Sequence, residues 1–115
     1  MSKFLQNLVR GVKLEMNISI TDLLEPVAHR QNRMCVKGTA TTVHRLARWW
    51  RIGMTADEIA AEFPHLGLAG VHAALAYYFA NRELIDKEIE ADIAEERKLV
   101  GENLRLKRTP EKEAA

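Results

Sequence analysis

The sequence predicts a mainly helical protein with a helix-turn-helix core, a small strand addition and a long C-terminal helix. Three observations predict it. Thr55 to Tyr78 (TADEIAAEFPHLGLAGVHAALAYY) holds two apolar-periodic stretches separated by a turn at Pro64 to Gly67. Ile85, Ile89 and Ile93 lie four apart in a charged background, the stripe of a helix that packs on one neighbour or pairs with its copy. Strand-like patterning is confined to two short stretches early in the chain.

Composition sets the outer limits. At 115 residues, with 47% hydrophobic and 29% charged residues, the chain is long enough for one folded domain and too apolar for disorder. No apolar run approaches the ~20 residues of a membrane span, so no membrane partner is expected. The apolar part of MSKFLQNLVRGVKLEM is too short and interrupted for a secretory signal. The single cysteine, Cys35, precludes an internal disulfide and suits the cytoplasm. Charge is uneven: the net is +6 over residues 1–54, −8 over 55–96 and +3 over 97–115. Such a split suits either two different partners or two solvated faces.

Taken in order, residues 3–10 read as a short helix with Phe4, Leu5, Leu8 and Val9 on one side, ending near Gly11. Lys13 to Ile20 alternates polar and apolar, as a half-buried strand does. Thr21 to Glu25 suits one helical turn stopped by Pro26, and Arg33 to Val36 is a second strand between the turn-prone Gln31-Asn32 and Gly38. Thr41 or Thr42 caps the next helix, which sets Val43, Leu46, Ala47 and Trp50 on one face flanked by Trp49 and Ile52, and turns Arg45 and Arg48 outward, with His44 and Arg51 at the margins. Gly53 ends it in the left-handed conformation. Thr55 and Glu58 form a capping box, with Met54 and Ile59 placed as its hydrophobic staple. Ala56, Ile59, Ala60 and Phe63 form the apolar face of this helix before Pro64 turns the chain out.

Leu68, Val71, Ala74, Leu75 and Tyr78 give the following helix one apolar face. Gly67 serves as its cap, and Gly70 weakens its first turn by ~1 kcal/mol relative to Ala. Asn81 breaks it. The last helix spans Arg82 to Val100, and polar, charge-alternating residues beyond Gly101 read as a tail. The organisation predicted is therefore an N-terminal extension (1–32), a core (33–81), a dimerisation or partner-binding helix (82–100) and a disordered tail (101–115).

Val36-Lys37-Gly38-Thr39, Val43, Gly53, Thr55, Glu58-Ile59, Phe63-Pro64-His65-Leu66, Val71, Tyr77-Tyr78, Asn81-Arg82 and Ile85-Asp86 follow in an ordered series. In its order and spacing the series resembles domain-of-unknown-function family 433, regarded as VapB-type antitoxin-like. The resemblance covers about Arg33 to Asp86. It implies a homeodomain-like helix-turn-helix with a winged or hairpin addition. It also implies an antitoxin paired with a PIN-like ribonuclease toxin and repressing its own operon. Ala40 stands where the family usually has Arg, and Gly67-Leu68-Ala69-Gly70 replaces the usual capped opening of the third helix.

Bases are read in the major groove by Arg, Lys, Asn, Gln and acids. The outward positions of the presumed reading helix are Ala69, Gly70, His72, Ala73 and Ala76, so only His72 carries a hydrogen-bonding group. Thr55 to Tyr78 therefore stands equally as a DNA reader and as a structural hairpin. The stronger nucleic-acid signal is the basic set Arg33, Lys37, His44, Arg45, Arg48 and Arg51, which suits phosphate contacts. Glu88, Asp92 and Glu96, beside the Ile85, Ile89 and Ile93 stripe, suit either a basic partner groove or the solvated side of a homodimer helix.

His29, Cys35, His44, His65 and His72 are scattered without ligand spacing, so no metal and no cofactor are expected. Cys35 reads as a small buried hydrophobe rather than a nucleophile, and Tyr77-Tyr78 and Trp49-Trp50 read as packing residues, so neither an enzyme nor a small-molecule substrate is predicted. The expected function is an antitoxin-like, operator-binding homodimer. The alternatives are a dimeric scaffold that binds no nucleic acid and a transcriptional regulator without a toxin.

Overall fold

A computed structural model describes residues 18–114, with side chains through residue 106. The predicted helix over residues 3–10 and the strand over Lys13–Ile20, apart from its last three residues, lie outside the described part. The chain forms two units, one up to Tyr77 and one from Tyr78 onward.

The first unit begins with a 3-10 turn, Ile20–Leu23, where the Ser19 N–H donates to Asp22 Oδ2 at 2.8 Å. It leads directly into strand β1 (Leu24–Val27), which pairs antiparallel with β2 (Arg33–Val36) in the register Leu24↔Val36, Glu25↔Cys35, Pro26↔Met34, Val27↔Arg33. The helical turn expected over Thr21 to Glu25 is met by the 3-10 turn as far as Leu23, while the sheet recruits Leu24–Val27. Pro26 is tolerated for a geometric reason. The Lys37 N–H donates to Leu23 O, so the hydrogen-bonded pairs alternate from there and Pro26 falls on a non-bonded pair, where its missing N–H is not needed. The turn-prone Gln31 and Asn32, both left-handed at φ 61° and 58°, close a hairpin whose first strand was not expected.

The Val36-Lys37-Gly38-Thr39 motif is a knotted turn. Gly38 holds φ +78°, and its N–H donates to Glu25 Oε1 at 3.0 Å. Thr39 Oγ1 donates to Val36 O at 2.7 Å and accepts from the Thr41 N–H at 3.1 Å. The Val36 N–H reaches Thr41 O at 3.0 Å, and Cys35 bridges to Thr42, so β2 is flanked on both edges. Cys35 is fully buried, and burial pushes its thiol above the ordinary value of 9.0; Arg30 pulls it back and Glu25 adds to the rise. It stays a neutral thiol at physiological pH.

Helix α1 (Val43–Arg51) is capped by Thr42, whose Oγ1 accepts the Arg45 N–H at 3.1 Å. Val43, Leu46 and Ala47 are fully buried. Gly53 turns the chain at φ +105°. Helix α2 (Ala56–Glu62) starts with the predicted capping box: the Glu58 N–H donates to Thr55 Oγ1 at 3.1 Å, and the Thr55 N–H to Glu58 Oε1 at 3.2 Å. Only Ile59 of its apolar face is fully buried; Ala56, Ala60 and Phe63 are half-buried. A 3-10 turn, Pro64–Leu66, and Gly67 at φ +72° lead into helix α3 (Leu68–Ala80).

Gly70 has a packing role that periodicity did not reveal. A Cβ built on it would lie 2.7 Å from Val36 Cγ1, so α3 crosses β2 at a distance only glycine permits. Gly70, Val71, Ala73, Ala74 and Leu75 are all buried. The helix is apolar nearly all round, as a core helix is.

In the second unit α3 ends at Asn81, and helix α4 runs from Arg82 to Ala114, past the break expected at Gly101. Gly101 keeps a negative backbone φ and meets no neighbour, so it is carried within the helix instead of ending it. Tyr78, fully buried, donates its hydroxyl to Asp86 Oδ1 at 2.7 Å. Arg82 lies 3.7 Å from Asp86 Oδ2 and over the Tyr78 ring at 5.9 Å. Tyr78, Arg82 and Asp86 are thus one polar cluster joining successive turns. Ile85 and Ile89 are buried.

Candidate nucleic-acid interface

Successive residues of a helix step by about 100°, and this step sorts α1 into two sides. The buried side carries Val43, His44, Leu46 and Ala47; the outer side carries Arg45, Arg48, Trp49 and Ile52, with Arg51 at its edge. Arg45 and Arg51 are exposed and Arg48 is half-buried. This much of the predicted basic set forms one face. His44 does not join it: at 6% exposure it sits in the interior, where it cannot meet a phosphate.

Lys37 is exposed in the turn after β2, and Arg33, half-buried, sits on β2 opposite Val27. Neither lies on α1.

The outer side of α1 also carries an aromatic column. The Arg45 guanidinium lies over the Trp49 ring at 5.6 Å, and Trp49 stacks on Phe63 with centroids 4.2 Å apart and planes 8° from parallel. Phe63 meets His65 edge-on at 6.5 Å. Trp49 therefore has Phe63 on one face and a cation toward it as well, which leaves it poorly suited to stacking a nucleobase. The column instead fixes the Arg45 side chain by a cation–π contact, presenting a cation with part of its rotamer freedom already removed. Ile52, at 78% exposure, adds an apolar edge. The Arg45–Trp49 spacing of one helical turn is visible in the sequence. The Trp49–Phe63 stack is not, because it joins two helices whose crossing no local pattern specifies.

The predicted reading helix has little to offer a base. Of its expected outward positions, Gly70 and Ala73 are buried and Ala76 is half-buried; Ala69 and His72 are exposed. The acids Glu88 and Asp92 of α4 are half-buried and Glu96 is exposed, while Ile93 is half-buried. Among the described residues no group of His, Cys, Asp and Glu assembles a metal site, and no helix is long and apolar enough to cross a membrane.

Residues 29–78 match the family described as Protein of unknown function (DUF433), the family that the ordered motifs resemble. No curated protein and no solved structure matches the chain.

Proposed function

We propose that this chain, whose residues 29–78 match the DUF433 family, is an antitoxin-like binding protein of the cytoplasm that holds nucleic acid through its phosphates and a nuclease through α4. The observation that carries the nucleic-acid part is the outer face of α1, where Arg45 and Arg51 are exposed beside Arg48 and Arg45 is ordered over Trp49. Such a face positions a protein on a duplex without reading its sequence. The buried state of Gly70 and Ala73 speaks against base reading by α3. Any operator selectivity then comes from the hairpin or from the spacing of two copies.

The partner part rests on the first half of α4, residues 82–96, which carry seven acids and two bases, with Glu83, Glu90, Glu95 and Glu96 exposed. An acidic helix suits the basic groove of a nucleic-acid-cleaving enzyme, so a PIN-like ribonuclease is the partner proposed. The exposed Ile52, Leu99 and Val100 favour a second reading, a dimeric interaction protein that binds no nucleic acid.

Two measurements decide. Retardation of the chain's own upstream duplex is expected to weaken steeply as salt rises; retention that ignores salt, or none at low salt, removes the phosphate reading. Purification from native lysate is expected to bring down a small protein whose ribonuclease activity appears only once the complex is dissociated. DNA retardation without such an activity would identify a regulator without a toxin.

A further inference from the structure

Helix α4 changes character along its length. Ile85 and Ile89 are buried, Ile93 is half-buried, and every residue from Ala94 to Leu106 is exposed. The apolar stripe does not stop where the burial does. Val100 and Leu104, at 57% and 54% exposure, continue Ile93 on the same side of the helix. Ile93, Glu96, Arg97 and Val100 line a shallow groove there. A helix surrounded by water is marginal on propensity alone, and Gly101 within it costs a further ~1 kcal/mol relative to Ala. This stretch calls for a cover.

Its charge says what the cover is. Residues 82–96 carry seven acids and two bases, and residues 97–114 carry six bases and three acids. The helix is acidic in its first half and basic in its second. Two copies laid parallel set acid on acid and base on base. Two copies laid antiparallel about an axis near residues 98–99 set residues 82–96, net −5, against residues 101–115, net +1, instead of against their own like, twice, by one two-fold axis.

We propose that α4 pairs antiparallel with α4 of a second copy, along the stripe Ile93–Val100–Leu104, with the axis near residues 98–99 and Ile93 of each copy opposite Leu104 of the other. Steering by the charged halves fixes direction, and the apolar stripe supplies the buried contact. The pairing does not rest on the nucleic-acid or nuclease reading, and neither of those assays reports on it.

The test uses the full chain alone. Sedimentation is expected to show a concentration-dependent dimer that weakens as salt is raised. The double variant Val100→Glu, Leu104→Glu alters only exposed positions, and is expected to weaken the dimer at least ten-fold, with helix content falling only by the part of α4 that loses its cover. A spin label on Leu84→Cys reads direction, since the buried Cys35 is shielded from the reagent. Antiparallel pairs place the two labels on the order of 40 Å apart, from about 1.5 Å of rise per residue, whereas parallel pairs bring them side by side. A chain that is monomeric at every concentration, a dimer indifferent to the double variant, or adjacent labels would each overturn the proposal.

Discussion

Helices α1 and α3 belong to the same three-helix run and have opposite relations to solvent. Helix α1 buries one side and presents arginines, Trp49 and Ile52 on the other. Helix α3 buries Gly70, Val71, Ala73, Ala74 and Leu75, so most of its circumference is core, and His72 is its single exposed polar side chain before Tyr77. The helix that comes third in the chain, where a reading helix is expected, is the one with most of its sides buried, and its Gly70 lies against Val36 of β2. Order along the chain does not assign the role of contacting nucleic acid. What a helix can touch is set by which side it has left over after packing.

The largest test of this contrast is at Gly70. Were α3 an exposed helix, Gly70→Ala would stabilise it by ~1 kcal/mol through propensity. Since a Cβ there meets Val36 Cγ1 at 2.7 Å, Gly70→Val is expected to destabilise by on the order of 1–3 kcal/mol. Gly70→Ala is expected to destabilise by less. Denaturant unfolding reads both, and stabilisation by Ala would break the comparison.

Next comes the α1 face: Arg45→Glu with Arg51→Glu is expected to weaken duplex retardation ten-fold or more, with an unchanged melting temperature. Retardation that survives the pair would move the contact elsewhere. A smaller effect concerns the shared scaffold. Thr55→Ala removes the cap of α2 and is expected to cost ~1 kcal/mol, checked by the same denaturant curves.

Alkaline pH supplies a gentler probe of the sheet beneath α3. The folded state raises the Cys35 thiol above 9.0, so the unfolded chain loses this proton first as pH rises. The contribution of the neutral thiol is fully present below the unfolded value and is lost as pH climbs toward the folded one. Comparing Cys35→Ala with the parent chain across that range is expected to show a flatter alkaline fall in stability. The smallest effect is expected at His72, where replacement by Ala should leave DNA retardation unchanged and shift stability by less than about 0.5 kcal/mol.

Where the sequence carried a local signal, the fold was legible. Thr42, Thr55 with Glu58, Gly53, Pro64, Gly67 and Asn81 all mark boundaries in the structure, because each satisfies or removes a backbone requirement within a few residues of itself. The strand β1 was not legible, since Glu25 and Pro26 argue against a strand and only the partner β2 decides that the Pro26 position needs no N–H. Of the candidate site, the outward turn of Arg45 and Arg48 followed from helical period. The burial of His44 did not, because a residue at the margin of an apolar stripe is placed by what packs over it.

Local signals along the chain therefore place the helix starts and turns, the charge split and the motifs of the DUF433 match, but neither strand β1 nor the run of α4 past Gly101. Tertiary structure alone decided that Gly70 is a crossing point and not a weak helix start, that Trp49 stacks on Phe63, and that α3 is core. These outcomes depend on distances between segments far apart in the chain, such as the 2.7 Å from Gly70 to Val36, and no periodicity within one segment encodes the shape of the surface it will meet.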